Sequence, residues 1–149
     1  MATTTSAAPQ LLKLTASRTI DAPPADVFAA WVDPAKVSVW FGAARVIMNP
    51  VIDGLYHLGV RHEDRTGCHI YGRFRRIERP RLVEQTWMSE GTHGLESIVT
   101  FSIEPRGRGS EVTIHHAGLP NEEERQNHQD GWTSLLDAME KHVKGRSNA

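Results

Sequence analysis

A chain of 149 residues with 39% apolar and 23% charged side chains is long enough for one domain built on one core. The formal net charge of −1 leaves no electrostatic reason to expect nucleic acid or an anionic membrane as a partner. The single cysteine, Cys68, excludes an internal disulfide and a cysteine-based zinc site. No apolar run approaches a membrane span and the first residues carry no basic-then-apolar signal, so the expected location is cytoplasmic.

Residues 1–10 are polar and small and are expected to be a disordered tail. Residues 12–20 alternate and include β-branched side chains, which predicts a first strand. Pro24 suits a first helical position, and Val27, Phe28 and Trp31 then share a face. Asp33-Pro34 repeats that start signal, with Val37, Trp40 and Phe41 following at helical spacing. Two short helices in tandem are predicted, each too short to stand alone.

The apolar period then changes to two. Segments 45–52 and 55–61 flank Asp53-Gly54, a hairpin signal. A charged loop is expected at 62–66. Segments 68–77 and 82–87 flank Arg79-Pro80, and a glycine-containing loop covers 88–95. Segments 97–104 and 111–116 flank a glycine-rich turn. These six strands form an antiparallel meander. A two-residue turn at Arg79-Pro80 would place Phe74 opposite Gln85, Gly72 opposite Trp87 and Arg76 opposite Val83 on the inner face. Arg75 with Glu84 and Arg73 with Thr86 would then face out. The same alternation points Val99, Phe101, Ile103, Val112, Ile114 and His116 inward. Tyr56, Leu58 and Val60 form the inner set of the other hairpin, although Val46 and Met48 argue for its opposite face.

A long helix is predicted over 121–143. Asn121 caps it, Glu124 completes a capping box, and Gly145 can stop it. Trp132, Leu135, Leu136, Met139 and Val143 form an apolar stripe. Carried back, the stripe meets His128, Gln129 and Arg125, so the helix offers a polar half and an apolar half. A sheet with one apolar face needs a cover, and this helix is the element long enough to supply it. The expected architecture is α+β: a curved antiparallel sheet of about seven strands wrapped around the long C-terminal helix. The domain spans 11–145, with 146–149 as a tail.

That order of elements resembles the helix-grip, START/Bet v 1-like (SRPBCC) superfamily. Within it the chain resembles the single-domain proteins related to the activator of heat-shock protein 90 ATPase. The resemblance rests on Arg18-Thr19-Ile20-Asp21-Ala22-Pro23 with Val27-Phe28 and Trp31, on Asp33-Pro34 with Trp40-Phe41, and on Asp53-Gly54 with Tyr56. It continues through Arg81-Leu82-Val83 with Thr86-Trp87, Glu96-Ser97 with Val99-Thr100-Phe101, and Gly131-Trp132. Where relatives carry a Gly-Gly pair, this chain has Gly54-Leu55. The resemblance implies an internal hydrophobic cavity between sheet and helix. It also implies relatives that include small-molecule carriers, polyketide cyclases and co-chaperone domains.

The expected function is binding of a small hydrophobic molecule, lipid-like or aromatic, in that cavity. Trp87, Phe101, Trp132 and Leu136 would supply contact area, with Trp40, Tyr56, Leu58, Phe74, Val99 and Met139 completing the wall. His116, His128, Arg76 and Gln85 would orient the polar end. Gly131 would let the helix lie close to the sheet. The first alternative is a cyclase or dehydratase-like enzyme with His116 or His128 as base. The second is a stress-response interaction module using the outer sheet face around Arg73 and Arg75. No nucleophile motif or phosphate loop is present, and no catalytic residue, cofactor or metal is assigned. His115 and His116 are adjacent on a strand, point to opposite faces and cannot chelate together. Cys68 has no neighbour in sequence that would activate it. A monomer or a homodimer is expected.

Overall fold

The computed structural model describes residues 11–60 and 68–147. The tail expected at 1–10 and the charged loop at 62–66 lie outside these residues. Seven strands form one antiparallel sheet in the order β1-β7-β6-β5-β4-β3-β2. They are β1 (Leu12–Ile20), β2 (Ala43–Met48), β3 (Leu55–Val60), β4 (Cys68–Glu78), β5 (Leu82–Trp87), β6 (Ser97–Arg106) and β7 (Gly109–Leu119). Helices α1 (Pro24–Val32) and α2 (Pro34–Trp40) join β1 to β2, and α3 (Glu122–Ser147) closes the chain. This is the α+β, helix-grip-like arrangement expected. The helical end differs: α3 runs past Gly145 to Ser147, so residues 146 and 147 are helix rather than tail. Among the described residues no helix is long and apolar enough to cross a membrane.

The helix starts fall where the capping signals put them, although the expected capping box at Asn121 forms only its first half because the Glu124 carboxylate turns to His93 and Asn127. Each of α1 and α2 opens on proline, and Asp33 accepts a hydrogen bond from Ala35 N at 3.0 Å. Asn121 Oδ1 accepts from Glu124 N at 2.8 Å. The Glu124 carboxylate reaches His93 Nε2 at 3.3 Å, tying the first turn of α3 to the loop before β6. On β1, Arg18 binds Asp137 at 3.1 Å and Glu140 at 3.5 Å, so the sheet edge holds the middle of α3. Trp132, Leu136, Met139 and Val143 are buried under that span, as the stripe predicts.

Two turns differ from expectation. β2 ends at Met48, and residues 49–54 form a wider connection in which Gly54 N donates to Val51 O and Asp53 N to Phe74 O. A Cβ on Gly54 would lie 1.9 Å from Asn49 O, so this position admits only glycine. Val46 pairs with Leu58 and Met48 with Tyr56. Directly paired residues share a face, so all four face inward and the apparent conflict between the two strands disappears. The second difference lies at β4 and β5, where the turn holds residues 79–81 and Glu78 pairs with Leu82. The added turn residue is matched by a bulge between Phe74 and Arg76, which restores Phe74 opposite Gln85. Between turn and bulge the faces are exchanged. Ile77 pairs with Val83, and Arg76 pairs with Glu84 and points to solvent.

Candidate functional site

The space between sheet and helix has two parts. One is filled. Trp31 of α1 stacks on Phe101 with ring centroids 4.1 Å apart and planes 8° from parallel. Its Nε1 donates to Gln85 Oε1 at 2.8 Å. Trp40 lies 5.8 Å from Trp31 and donates its Nε1 hydrogen to Ala30 O at 2.7 Å. An indole pair carried on two short helices thus occupies the centre of the curved sheet. Phe74, Phe101, Val99 and Met139 are sealed off here with no exposed surface, and Gln85 is spoken for.

The other part is hollow. A cavity of about 860 Å³ opens between the first half of α3, the strand ends Val60 and Cys68, and the loop after β5. Phe41, Val60, Cys68, Ile70, Trp87, Trp132 and Leu135 give it apolar walls. Ser89, Glu90, Gly91, Glu124, Asn127 and His128 give it a polar end, and Gly131 lines it from the helix. The polar loop is built by local capping. Ser89 Oγ accepts from Gly91 N at 3.0 Å, and Thr92 Oγ1 accepts from Ser89 N at 3.1 Å, closing one 3-10 turn over Glu90–Thr92. That turn holds Glu90 at the cavity.

His116 and His128 do meet, with ring centroids 5.0 Å apart and the rings perpendicular. Their situations are opposite. His116 is fully buried. Trp132 Nε1 donates to its Nδ1 at 3.1 Å, and its Nε2 lies 2.7 Å from Ser97 Oγ. An indole N–H can only donate, so Nδ1 is the acceptor and Nε2 carries the proton toward Ser97. The Ser97 hydroxyl then donates to Trp87 O at 2.6 Å. Every polar atom in this relay is used. Burial, with a smaller contribution from nearby His128, pushes the His116 pKa down to about 3. The ring is a neutral strut that aims Trp132 and Trp87 at the cavity. Its two nitrogens are engaged, so it has no lone pair for a ligand or a substrate proton. His128, half-buried, donates its Nδ1 hydrogen to Glu124 O at 2.7 Å within α3. Its Nε2, which is the acceptor in the neutral ring, is on the side facing Gly91.

Of the fourteen side chains expected at the ligand, Trp87, His128 and Trp132 line the cavity. Trp40, Tyr56, Leu58, Phe74, Gln85, Val99, Phe101, His116, Leu136 and Met139 are buried in the packing around it. Tyr56 donates to Thr86 O, and burial raises its phenol pKa well above the usual value, so it stays a neutral donor. Arg76 is on the outer face, paired with Glu78, and the bulge is the reason. Gly131 does not bring helix and sheet together: a Cβ there would meet no atom within 4 Å. Arg125 turns onto Glu122, and Gln129 donates to Thr15 O at 3.3 Å. Leu135 continues the helical stripe. Cys68 and Ile70 continue the alternation that places Gly72 and Phe74 inward, so these three lining residues could have been found. The Ser89–Gly91 turn carries no periodic signal. Burial, and then the charge of Glu90, raise the Cys68 thiol, which is not an activated nucleophile. Among the described residues no three His, Cys, Asp or Glu side chains are grouped to hold a metal ion.

The family model described as "Activator of Hsp90 ATPase homolog 1-like protein" matches residues 21–144. No curated protein matches the chain by sequence. Many solved structures share its fold. A protein of unknown function, SA2116 from Staphylococcus aureus, aligns with a TM-score of 0.80 at 12% identity, over 94% of this chain and 98% of that one. Protein CV1439 from Chromobacterium violaceum aligns with a TM-score of 0.79 at 21% identity, over 88% and 96%. CalU16 from Micromonospora echinospora aligns with a TM-score of 0.72 at 22% identity, over 89% and 76%.

Proposed function

The chain belongs to the family of Activator of Hsp90 ATPase homolog 1-like proteins, and from that premise we propose that it binds a small, largely apolar molecule in the hollow beside Trp87 and Trp132. One observation carries the reading. The fold fills one half of its interior with Trp31 and Trp40 and leaves about 860 Å³ empty in the other. Ligand sites fall in the range of roughly 300–1,000 Å³ and combine apolar walls with a few placed polar groups. Both features are present. The ligand lies against the two indoles, with its polar end toward the Ser89–Gly91 turn and the first half of α3.

A second reading is favoured by one detail, the Nδ1 bond that fixes the His128 tautomer. In a cyclase- or dehydratase-like enzyme, His128 rather than His116 would be the base, since its Nε2 can take a proton from a molecule in the cavity.

Nile red, a neutral apolar dye, tests the binding reading. Its fluorescence is expected to rise with the folded protein and to stay low with Gly131→Trp. A Cβ there meets no atom within 4 Å and glycine is the poorer helix former, so the variant is expected to melt no lower than the unsubstituted protein. Absence of any rise with the folded, unsubstituted protein would sink the binding reading.

A further inference from the structure

The polar end of the cavity is lined by two carboxylates, Glu90 and Glu124. Glu90 is exposed at the mouth and lines it together with Cys68 of β4. Glu124 is largely shielded, its side chain 18% exposed; its Oε2 lies 3.3 Å from His93 Nε2 and its Oε1 accepts from Asn127 Nδ2 at 3.4 Å. In its neutral form His128 offers Nε2 as a lone pair, because its Nδ1 hydrogen is committed to Glu124 O. Ser89 and Asn127 complete the end. Among the described lining residues there is no lysine or arginine. The nearest arginine on the helix, Arg125, is drawn away by two hydrogen bonds to Glu122.

The head group of the ligand follows from this. A carboxylate, phosphate or sulfonate would face two like charges with no lysine or arginine among the described lining residues to answer them. A hydroxyl could satisfy one acceptor and leave the others wet. A protonated amine has up to three N–H donors and the matching charge. We infer that the molecule held in this cavity carries a protonated amine at the end that reaches Glu90, Glu124 and His128. This rests on the binding reading above and adds the class of ligand to it.

Three probes with one apolar body separate the possibilities by calorimetry: 2-(1-naphthyl)ethylamine, 2-(1-naphthyl)ethanol and 1-naphthylacetate. The amine is expected to bind about tenfold tighter than the carboxylate at low salt, and the gap to narrow as salt screens the exposed part of the field. The double substitution Glu90→Gln with Glu124→Gln keeps the shape of the end and is expected to reduce the gap to about threefold or less, as removal of two nearby charges requires. Any ranking in which the amine does not lead, including no binding by any of the three, overturns the charge inference. A gap that survives the double substitution also overturns it. Nile red distinguishes the two levels: if it binds while the amine preference fails, the cavity binds ligands of another class, and if it too fails, the binding reading falls with the inference.

Discussion

The two halves of the interior are walled by the same kind of residue and behave differently. In both, tryptophans lie between α3 and the sheet. Trp31 and Trp40 enter on short helices and find partners already in place: Phe101 for stacking, Gln85 and Ala30 for the two indole N–H groups. Trp87 and Trp132 come from the sheet and the long helix themselves. The Trp132 N–H is held by His116 Nδ1, and the Trp87 backbone carbonyl accepts from Ser97, but on the cavity side Phe41 lies against Trp87 as part of the wall rather than as filling. In this chain the segment between β1 and β2 fills one half with Trp31 and Trp40 and walls the other with Phe41. Aromatic content alone does not decide which half is filled.

The largest test of that contrast is Trp31→Ala. It removes a stacked ring and leaves Gln85 without its donor in a region that cannot fill the space, so it should cost about 3–5 kcal/mol in urea denaturation. Leu135→Ala in the wall of the hollow removes a side chain that already borders open space and should cost about 1 kcal/mol. Equal losses would mean that the hollow is packed as tightly as the rest.

The strut between the halves sets a pH dependence. The folded-state pKa of His116 is lowered to about 3 against an ordinary value of 6.5. The unfolded chain therefore takes up a proton first as pH falls. The stability contributed by the neutral ring is whole above pH 6.5 and is lost progressively as pH falls through the window down to about 3. At pH 5 the loss should be about 2 kcal/mol relative to neutral pH. His116→Leu should lower stability at pH 7, because the Trp132 N–H loses its partner, and should flatten the dependence between pH 7 and pH 5. Denaturant melts of both proteins at the two pH values decide it. A slope unchanged by the substitution would move the effect to other groups.

Period and punctuation carried most of the fold. Strand β1, the start of each helix, the meander and the buried face of α3 were all legible because each is a local pattern that tertiary packing had no reason to override. The site was less so. The Arg79-Pro80 turn and the bulge beyond it each add one residue, and the two cancel from Phe74 onward. Alternation alone therefore placed Phe74 and Gln85 correctly and Arg76 on the wrong face. Filled and hollow regions read alike in sequence because Phe101 and Trp87 are both inward aromatics on neighbouring strands. Only the reach of Trp31 from another element tells them apart. His116 was legible as an inward polar residue. Its engagement depends on Trp132 and Ser97, which are distant in sequence.

Smaller effects sharpen the boundary of the hollow. Gly131→Ala should raise stability by about 0.5–1 kcal/mol, since alanine is the better helix former and the new methyl group meets nothing. It should weaken Nile red binding only slightly, where Gly131→Trp abolishes it. A destabilised alanine variant would show that α3 packs at this position. Cys68, the single cysteine, lies in the same wall. Nile red should therefore slow its alkylation by iodoacetamide, and an unchanged rate would place the dye elsewhere.

The smallest expected effect is at Arg76, and it is informative for that reason. The side chain is exposed on the outer face and paired with Glu78, an arrangement that contributes little to stability. Arg76→Ala should leave both the melting temperature and Nile red affinity unchanged. Had the strand kept simple alternation, the guanidinium would point into the interior beside Val83, and its removal would change both. A marked loss of affinity in Arg76→Ala would therefore argue against the bulge. It would return an arginine to the inner face, and with it the cation whose absence from the described lining residues defines the polar end of the cavity.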